Sequence, residues 1–470
     1  MVIAAGKERS TVYEVGGGTV MSLGDVLARA GEGTIHAIEN QPELVAKIFH
    51  PTLNGLSAKL EKIAAMVTSP PSGATQDDGF TVLTWPTGIV RQNGSPVGYV
   101  MPRIDTANAV EIHALSNPSN RANPLANSPQ WPTHATWSHL VTVAANLCVA
   151  VDVVHHVDAV VGDFQERNIL VADTCRVTLV DCDSMQFTDA AGLVYLCTVG
   201  RPEFSAPELL GHDLAVHPRS KESDLFALAI HLYQLLMAGN HPFLRGNWLG
   251  AGEQPGPMEL AKTGDWTGGR NSHLHSHPLA PSITFLPTAI QNLFERAFTR
   301  GATNPSSRPT AAEWHAALGD IKVGDCPRGT HQVPVGTTAC PWCAIDGERA
   351  RRRKPAAVKQ QTVHQIVTPP TAKPPTVTAP GTQTAVVSSR PAQPAITRAG
   401  PGVISPYTTK SRPPFKSTTP RKPGKKPAPM PGTDEFGRGL YRVFLFFAIP
   451  SAIFITAMTI WILVYAFQQG

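Results

Sequence analysis

Over the first hundred or so positions, apolar residues come in short runs separated by turn residues. Further on they lengthen into helical periods. TVYEVG (residues 11–16), TIHAIEN (34–40) and LVAKIFH (44–50) read as short strands. SAKLEKIAAMV (57–67) has helical spacing, and TVLTWPTGIV (81–90) and PVGYVMPRI (96–104) return to strand pattern. WSHLVTVAANLCVAVDVVHHV (137–157) predicts a long apolar helix, after which most segments look helical. A small sheet lobe followed by a helical lobe gives an α+β fold, and no internal repeat at solenoid period is present.

The pattern changes twice near the end. Residues 349–438 are rich in Pro, Thr, Lys and Ala and poor in large apolar residues, which predicts a disordered, partly extended linker. Tyr441–Phe467 carries one charge, Arg442, near its start, and then runs apolar for long enough to cross a bilayer. A Trp and Tyr belt suits the interfaces, and Pro450 is tolerable in a lipid-embedded helix. Arg438, Arg442 and the basic linker precede this helix, so the positive-inside rule predicts a single-pass cell-membrane protein with its N-terminal part cytoplasmic. The boundaries expected are 10–322 for the globular domain, 323–348 for a Cys/His module, 349–438 for the linker and 441–467 for the membrane helix.

Composition adds less. Of 470 residues, 42% are hydrophobic, enough for a sizeable core, and the net charge of +5 is too mild to argue for nucleic acid. The basic run Arg351–Lys354 and the later KSRPPFKSTTPRKPGKK lack interleaved aromatics, so attraction to anionic lipid is the plainer reading and nucleic acid is disfavoured. No apolar stretch opens the chain, so no secretory signal is expected. Seven cysteines, an odd number without scaffold spacing, fit a reducing compartment.

Three motifs carry chemistry. Gly31-Glu32-Gly33 lies between two strand-like runs, where glycines let backbone N–H groups approach phosphate oxygens, although an ordinary hairpin turn explains them better when taken alone. The next strand holds Val45-Ala46-Lys47-Ile48, and a lysine inside an apolar strand is costly without an anionic partner. Glu61 on the following helix is the expected partner, with a solvated helix face as the alternative. The second motif is the most specific: Gly162-Asp163, then Asn168 five residues after Asp163, then a strand ending in Asp181-Cys182-Asp183. The third is Cys326, His331, Cys340 and Cys343, a C-x₂-C knuckle plus a Cys and a His. Three thiolates and an imidazole with no open position suit structural Zn²⁺, which would supply folding energy to a stretch too short for its own core. A redox C-x-x-C and unliganded thiols are the alternatives, and no βαβ setting surrounds the motif to favour the first.

The first two motifs, with Ala206-Pro207-Glu208, Ser223-Asp224 and Arg308 following in order, resemble the protein-kinase superfamily over about residues 10–320. Trp85-Pro86, Gly98-Tyr99-Val100-Met101-Pro102-Arg103, the G-D-x-x-x-x-N loop, the D-x-D and the C-P-W-C resemble a bacterial group of kinase-like proteins. The resemblance implies a bilobal fold that binds ATP with Mg²⁺ or Mn²⁺ and phosphorylates serine or threonine of a protein substrate. It implies that Gly31, Gly33, Lys47 and Glu61 hold the nucleotide, Asn168 and Asp181 the metal, and that Asp163 orients the attacking hydroxyl. It also implies that Glu208 pairs with Arg308. The sequence departs from the family where Val161 and Gly162 replace His and Arg, and where His36 stands in for the third glycine of the loop. Gln165 replaces the lysine that helps neutralise the transferring phosphoryl, and Asp183 replaces a glycine, adding a carboxylate beside the metal site. Loss of the loop arginine implies that loop phosphorylation does not switch activity. A pseudokinase scaffold that signals by conformation is the alternative, against which stands the presence of Lys47, Asp163, Asn168 and Asp181 together.

Overall fold

Short β-branched and aromatic runs broken by Gly and Asn turns build a single antiparallel sheet at the N-terminal end. The structure is a computed structural model that describes residues 13–353. Its seven strands are β1 (Tyr13–Val15), β2 (Thr19–Met21), β3 (Leu23–Arg29), β4 (Gly33–Ile38), β5 (Leu44–Phe49), β6 (Gly88–Gln92) and β7 (Ser95–Pro102). They lie in the order β2-β1-β6-β7-β5-β4-β3. β3 and β4 form a hairpin whose turn is closed by Ala30 N–H on the Gly33 carbonyl at 2.8 Å. A Cβ on Gly33 would lie 2.3 Å from the Ile48 carbonyl oxygen, so this glycine is required by the approach of β5. Gly31, at the tip, faces open space.

Helix α1 (Leu56–Val67) follows β5 and buries Lys62, Ile63 and Met66. The expected strand over 81–90 forms only in its second half. Thr81–Pro86 makes isolated bridges, among them Leu83 with Leu179, and the buried Trp85 indole donates to the Met66 carbonyl at 2.9 Å. Pro86 lacks the N–H that a central strand needs, so this stretch crosses toward the helical lobe and the strand starts beyond it, at Gly88.

The helical lobe is built around α2 (Trp137–His155), which is apolar on nearly every side and therefore central. It packs against α3 (Lys221–Leu236) and α4 (Ala311–Gly319). Among the described residues α2 alone is long and apolar enough to cross a membrane, and 83% of its apolar window is buried in the protein, as befits a core helix. Strands β8 (Ile169–Ala172) and β9 (Val177–Leu179) pair as a hairpin that spaces Asn168 from Asp181. This mixed architecture with its antiparallel sheet is consistent with a kinase-like fold.

The Cys/His stretch is a hairpin of Val323–Asp325 with Gln332–Pro334, followed by helix α5 (Pro341–Arg353). The helix continues past the boundary expected at residue 348, because Glu348 pairs with Arg351 and Arg352 on its exposed face. The stretch is also not isolated. Trp342 packs edge-on against Phe285 at 5.4 Å, and Gln332 Oε1 accepts the Ser138 N–H at 3.0 Å, satisfying an open donor in the first turn of α2. The rest of the expected linker, residues 354–438, and the membrane segment Tyr441–Phe467 lie outside the described residues.

Candidate functional site

β5 sets Lys47 with its side chain buried, between the rings of Phe49 and Tyr99. Its ammonium donates to both oxygens of Asp183, at 2.9 and 2.8 Å, and to Asp181 Oδ1 at 3.2 Å. Asp183 is wholly buried and also accepts from the Tyr99 hydroxyl at 2.7 Å, and Lys59 Nζ stands 3.2 Å from its Oδ2. Burial works against charge on Asp183, but Lys47, Lys59 and the Tyr99 hydroxyl outweigh it and hold the carboxyl far below the carboxylate range. Burial likewise works to lower the pKa of Lys47, and Asp183, Asp181 and Glu32 overcome it, so the ammonium is held above the ordinary lysine range. Asp181 is shifted the other way, raised by burial and by the charge of Asp183 beside it. Its backbone is left-handed at φ 59°, a conformation uncommon outside glycine that recurs at functional sites.

Glu61 does not pair with Lys47. It accepts instead from Ser57 Oγ, one turn back on its own exposed helix face. The inward face of α1 is defined by Ile63 and Met66, and it carries Lys59 and Lys62. Asp183 therefore supplies the anion expected of Glu61. Its carboxylate is taken up by Lys47, Lys59 and Tyr99. Glu32, at the tip of the β3–β4 hairpin, reaches Lys59 Nζ at 2.5 Å and lies 3.8 Å from Lys47 Nζ.

The second motif runs from a short strand (Ala159–Val160) through Asp163 and Asn168 into β8. Asp224, at the start of α3, accepts the N–H groups of Val161 and Gly162 at 2.7 and 3.0 Å and so fixes the loop. Phe164 is buried, and its carbonyl lies 2.8 Å from His231 Nε2. Burial pulls the His231 pKa down to about 4, so it braces the loop as a neutral donor. Asp163 accepts from Gln165 Nε2 at 2.7 Å and from Asn168 Nδ2 at 3.3 Å. With its nitrogen spent on Asp163, Asn168 has its amide oxygen left for a cation. The Val180 N–H bonds the Asn168 carbonyl at 3.0 Å, which draws Asp181 next to this loop.

No family model matches the chain. It is 30% identical over 345 residues to "Protein kinase YegI" of Escherichia coli K12, a match covering 70% of this chain and 50% of that protein. The protein of the same name from Escherichia coli O157:H7 is 29% identical over 349 residues, 72% of this chain and 51% of its own. A shorter match, 29% over 104 residues, is to the cAMP-dependent protein kinase catalytic subunit of Schizosaccharomyces pombe and covers 22% of this chain and 19% of that protein. These matches support a protein-kinase-like family. The chain spans about half the length of the two YegI proteins.

The residue before Asp163 is Gly162, at φ 71°, where a Cβ would lie 2.8 Å from Cys197 Sγ. The room an arginine would need is filled from elsewhere. The buried Arg219 donates to the Gly162 carbonyl at 2.8 Å and to the Val199 carbonyl, tying this loop to the segment before Ala206-Pro207-Glu208. Arg308, also buried, grips both oxygens of Glu208 at 2.6 Å, the pair expected from the sequence. Sequence reasoning met Glu32 and Tyr99 only inside motifs, without a role for either, and passed over Lys59, Lys62 and Arg219. For the two lysines the signal existed, since both fall on the stripe marked by Ile63 and Met66.

Lys62 differs from its neighbours. It is 5% exposed, and its ammonium has no hydrogen-bond or ion-pair partner among the described residues. Burial, then the charge of Lys59, pull its pKa down to about 8, opposed by Cys197, Asp183 and Glu32.

At the far end of the helical lobe, the ligand atoms of Cys326, His331, Cys340 and Cys343 all lie within 4.8 Å of one another. His331 Nδ1 is 3.4 Å from Cys343 Sγ and 3.8 Å from Cys340 Sγ, while Nε2 on the other side of the ring lies 3.2 Å from Asp346. An imidazole aimed at thiols and backed by a carboxylate has the arrangement of a metal-ligating histidine. The Cys326 thiol is drawn down to about 5, because backbone N–H groups of Thr330, Arg328 and His331 outweigh its burial. The donor set therefore fits a tetrahedral zinc site.

Proposed function

We propose that this chain is a protein kinase that transfers the terminal phosphoryl of ATP to serine or threonine hydroxyls. The observation that carries the reading is the convergence of Lys47 and Asp181, joined at 3.2 Å, with Asp163 and Asn168, joined through the Asn168 amide at 2.9 and 3.3 Å. Phosphoryl transfer asks the protein mainly for position and charge. Lys47 and the Gly31–Gly33 hairpin would hold phosphates, with Glu32 displaced. Asn168 and Asp181 would hold Mg²⁺, which neutralises charge on the phosphates. Asp163 would orient the substrate hydroxyl and accept its proton. The kinase names of the relatives support transfer chemistry without giving its substrate. The pseudokinase alternative is answered by the same experiment. Full-length chain with labelled ATP and Mg²⁺ or Mn²⁺ is expected to label itself or an added protein, and Lys47→Met is not. Equal label in both removes the transferase reading.

The four Cys/His side chains would hold zinc, which supplies a fixed centre for the module. The expected content is about one zinc per chain. Cys343→Ser should lose it, and the Ser138 amide should then exchange faster with solvent as Gln332 leaves it. Unchanged zinc content in that variant would remove the site.

The same proposal places the kinase at the inner face of the cell membrane, held by Tyr441–Phe467, with anionic lipid drawing the basic segment before it. Deleting residues 441–470 should move the chain from the membrane to the soluble fraction. A chain that stays with membranes would transfer the anchor to another segment.

A further inference from the structure

Lys47 and Lys59 share two carboxylates that are held with very different firmness. One is Asp183, wholly buried, whose Oδ2 lies 2.8 Å from Lys47 Nζ and 3.2 Å from Lys59 Nζ while Oδ1 accepts from the Tyr99 hydroxyl. The other is Glu32, whose Oε2 accepts from Lys59 Nζ at 2.5 Å and lies 3.8 Å from Lys47 Nζ. Both ammonium groups also stand over the same ring, Phe49, at 5.6 and 5.7 Å from its centroid. The two lysines thus form one cationic pair, with Asp183 as its buried anion and Glu32 as its open one. The Glu32 side chain is 43% exposed, so water screens its attraction to the pair. Its backbone is fixed independently: its carbonyl accepts the His50 N–H at 2.9 Å, and Ala30 and Gly33 close the turn around it. Rotation of the side chain alone therefore frees the lysines, and the hairpin need not open.

We propose that Lys59 is a second phosphate-binding lysine beside Lys47, and that Glu32 occupies its place until the nucleotide arrives. The proposal rests on the kinase reading and deepens it. A phosphate oxygen accepts the same charge-assisted hydrogen bonds as a carboxylate oxygen, so a polyphosphate is the anion that exchanges with Glu32 at this pair. Asp183 does not exchange, because Lys47, Lys59 and Tyr99 all hold it inside the protein. It keeps both ammonium groups aimed while their outer partner changes. Glu32 then acts as a built-in competitor, and the affinity for nucleotide is set partly by this carboxylate on the hairpin.

Equilibrium binding of MgATP to the full-length chain, to Glu32→Gln, to Lys59→Met and to the double variant tests this. Glu32→Gln should bind MgATP about threefold to fivefold more tightly than the wild type, the scale of an ion pair with one exposed partner. Lys59→Met should bind about tenfold more weakly, the scale of one hydrogen bond to a charged group. In the Lys59→Met background the gain from Glu32→Gln should largely vanish, since the carboxylate has lost its nearer lysine. A gain in affinity is the deciding sign, because damage to the fold can only weaken binding. Glu32→Gln that binds as the wild type does, or more weakly, overturns the proposal. So does Lys59→Met with wild-type affinity, or a gain that persists undiminished without Lys59, and in those cases the kinase reading stands. A wild type that binds no MgATP removes the kinase reading, and this proposal with it.

Discussion

Asp163→Asn is expected to lower phosphoryl transfer about a thousandfold while leaving the fold and nucleotide affinity intact. The carboxylate is 7% exposed and takes its two hydrogen bonds from neutral amides, Gln165 and Asn168, so no cation competes for it. Its remaining lone pairs are those available to a substrate hydroxyl. Asparagine keeps the volume and one acceptor but cannot take the proton, so the loss should appear in kcat and hardly in the KM for ATP. The loop should survive, because its supports are elsewhere. Asp224 holds the Val161 and Gly162 amides, Arg219 holds the Gly162 carbonyl, and His231 lies against the Phe164 carbonyl. Steady-state labelling of a protein substrate, with MgATP binding measured on the same preparations, reads both quantities. An asparagine variant that turns over like the wild type would mean that Asp163 neither orients nor deprotonates the acceptor.

How much of this was legible in the sequence depends on the range of the contacts. The meeting of Asp163 with Asn168 could be read because it is local: the two are five residues apart, and the β8–β9 hairpin fixes the distance to Asp181. Lys47 could be read because a charged residue in an apolar strand demands a partner. Its partner could not, because Asp183 lies 136 positions away and helix α1 offers Lys59, Glu61 and Lys62 within one turn. Charge complementarity alone selected Glu61. The stripe of Ile63 and Met66 would have selected the two lysines, and with them the idea that the anion comes from the D-x-D. β3 was missed for another reason. Two register shifts against β4 break its alternation, and Val26 and Leu27 are exposed, so no two-residue period survives. The docking of the Cys/His module was invisible because it depends on Trp342 meeting Phe285 and on Gln332 meeting the first turn of α2, contacts that no local pattern encodes.

Asp183→Ala is expected to destabilise the protein by about 3–5 kcal/mol, since removing one partner from a buried charge cluster leaves the others uncompensated. Two ammonium groups and a phenol converge on this carboxylate. Without it, Lys47 retains Asp181, Lys59 retains Glu32, and the Tyr99 hydroxyl loses its acceptor. Lys59→Met in the same chain should return part of the loss, and a double-mutant cycle in urea measures how much. The pH dependence has a definite sign. The Asp183 carboxyl is held far below its unfolded value by Lys47 and Lys59, so its stabilising contribution is complete at neutral pH and declines as the pH falls through the carboxylate range. The gap between wild type and variant should therefore narrow below about pH 4, as the wild type loses what the variant never had. A gap that stays constant on acidification, or an alanine variant as stable as the wild type, would show that Asp183 is not the anion around which the cleft is assembled. The cluster also explains why the D-x-D can stand where a glycine is usual. The second carboxylate anchors the strand lysine from within the helical lobe, and α1 is thereby free to present lysines where a glutamate was expected.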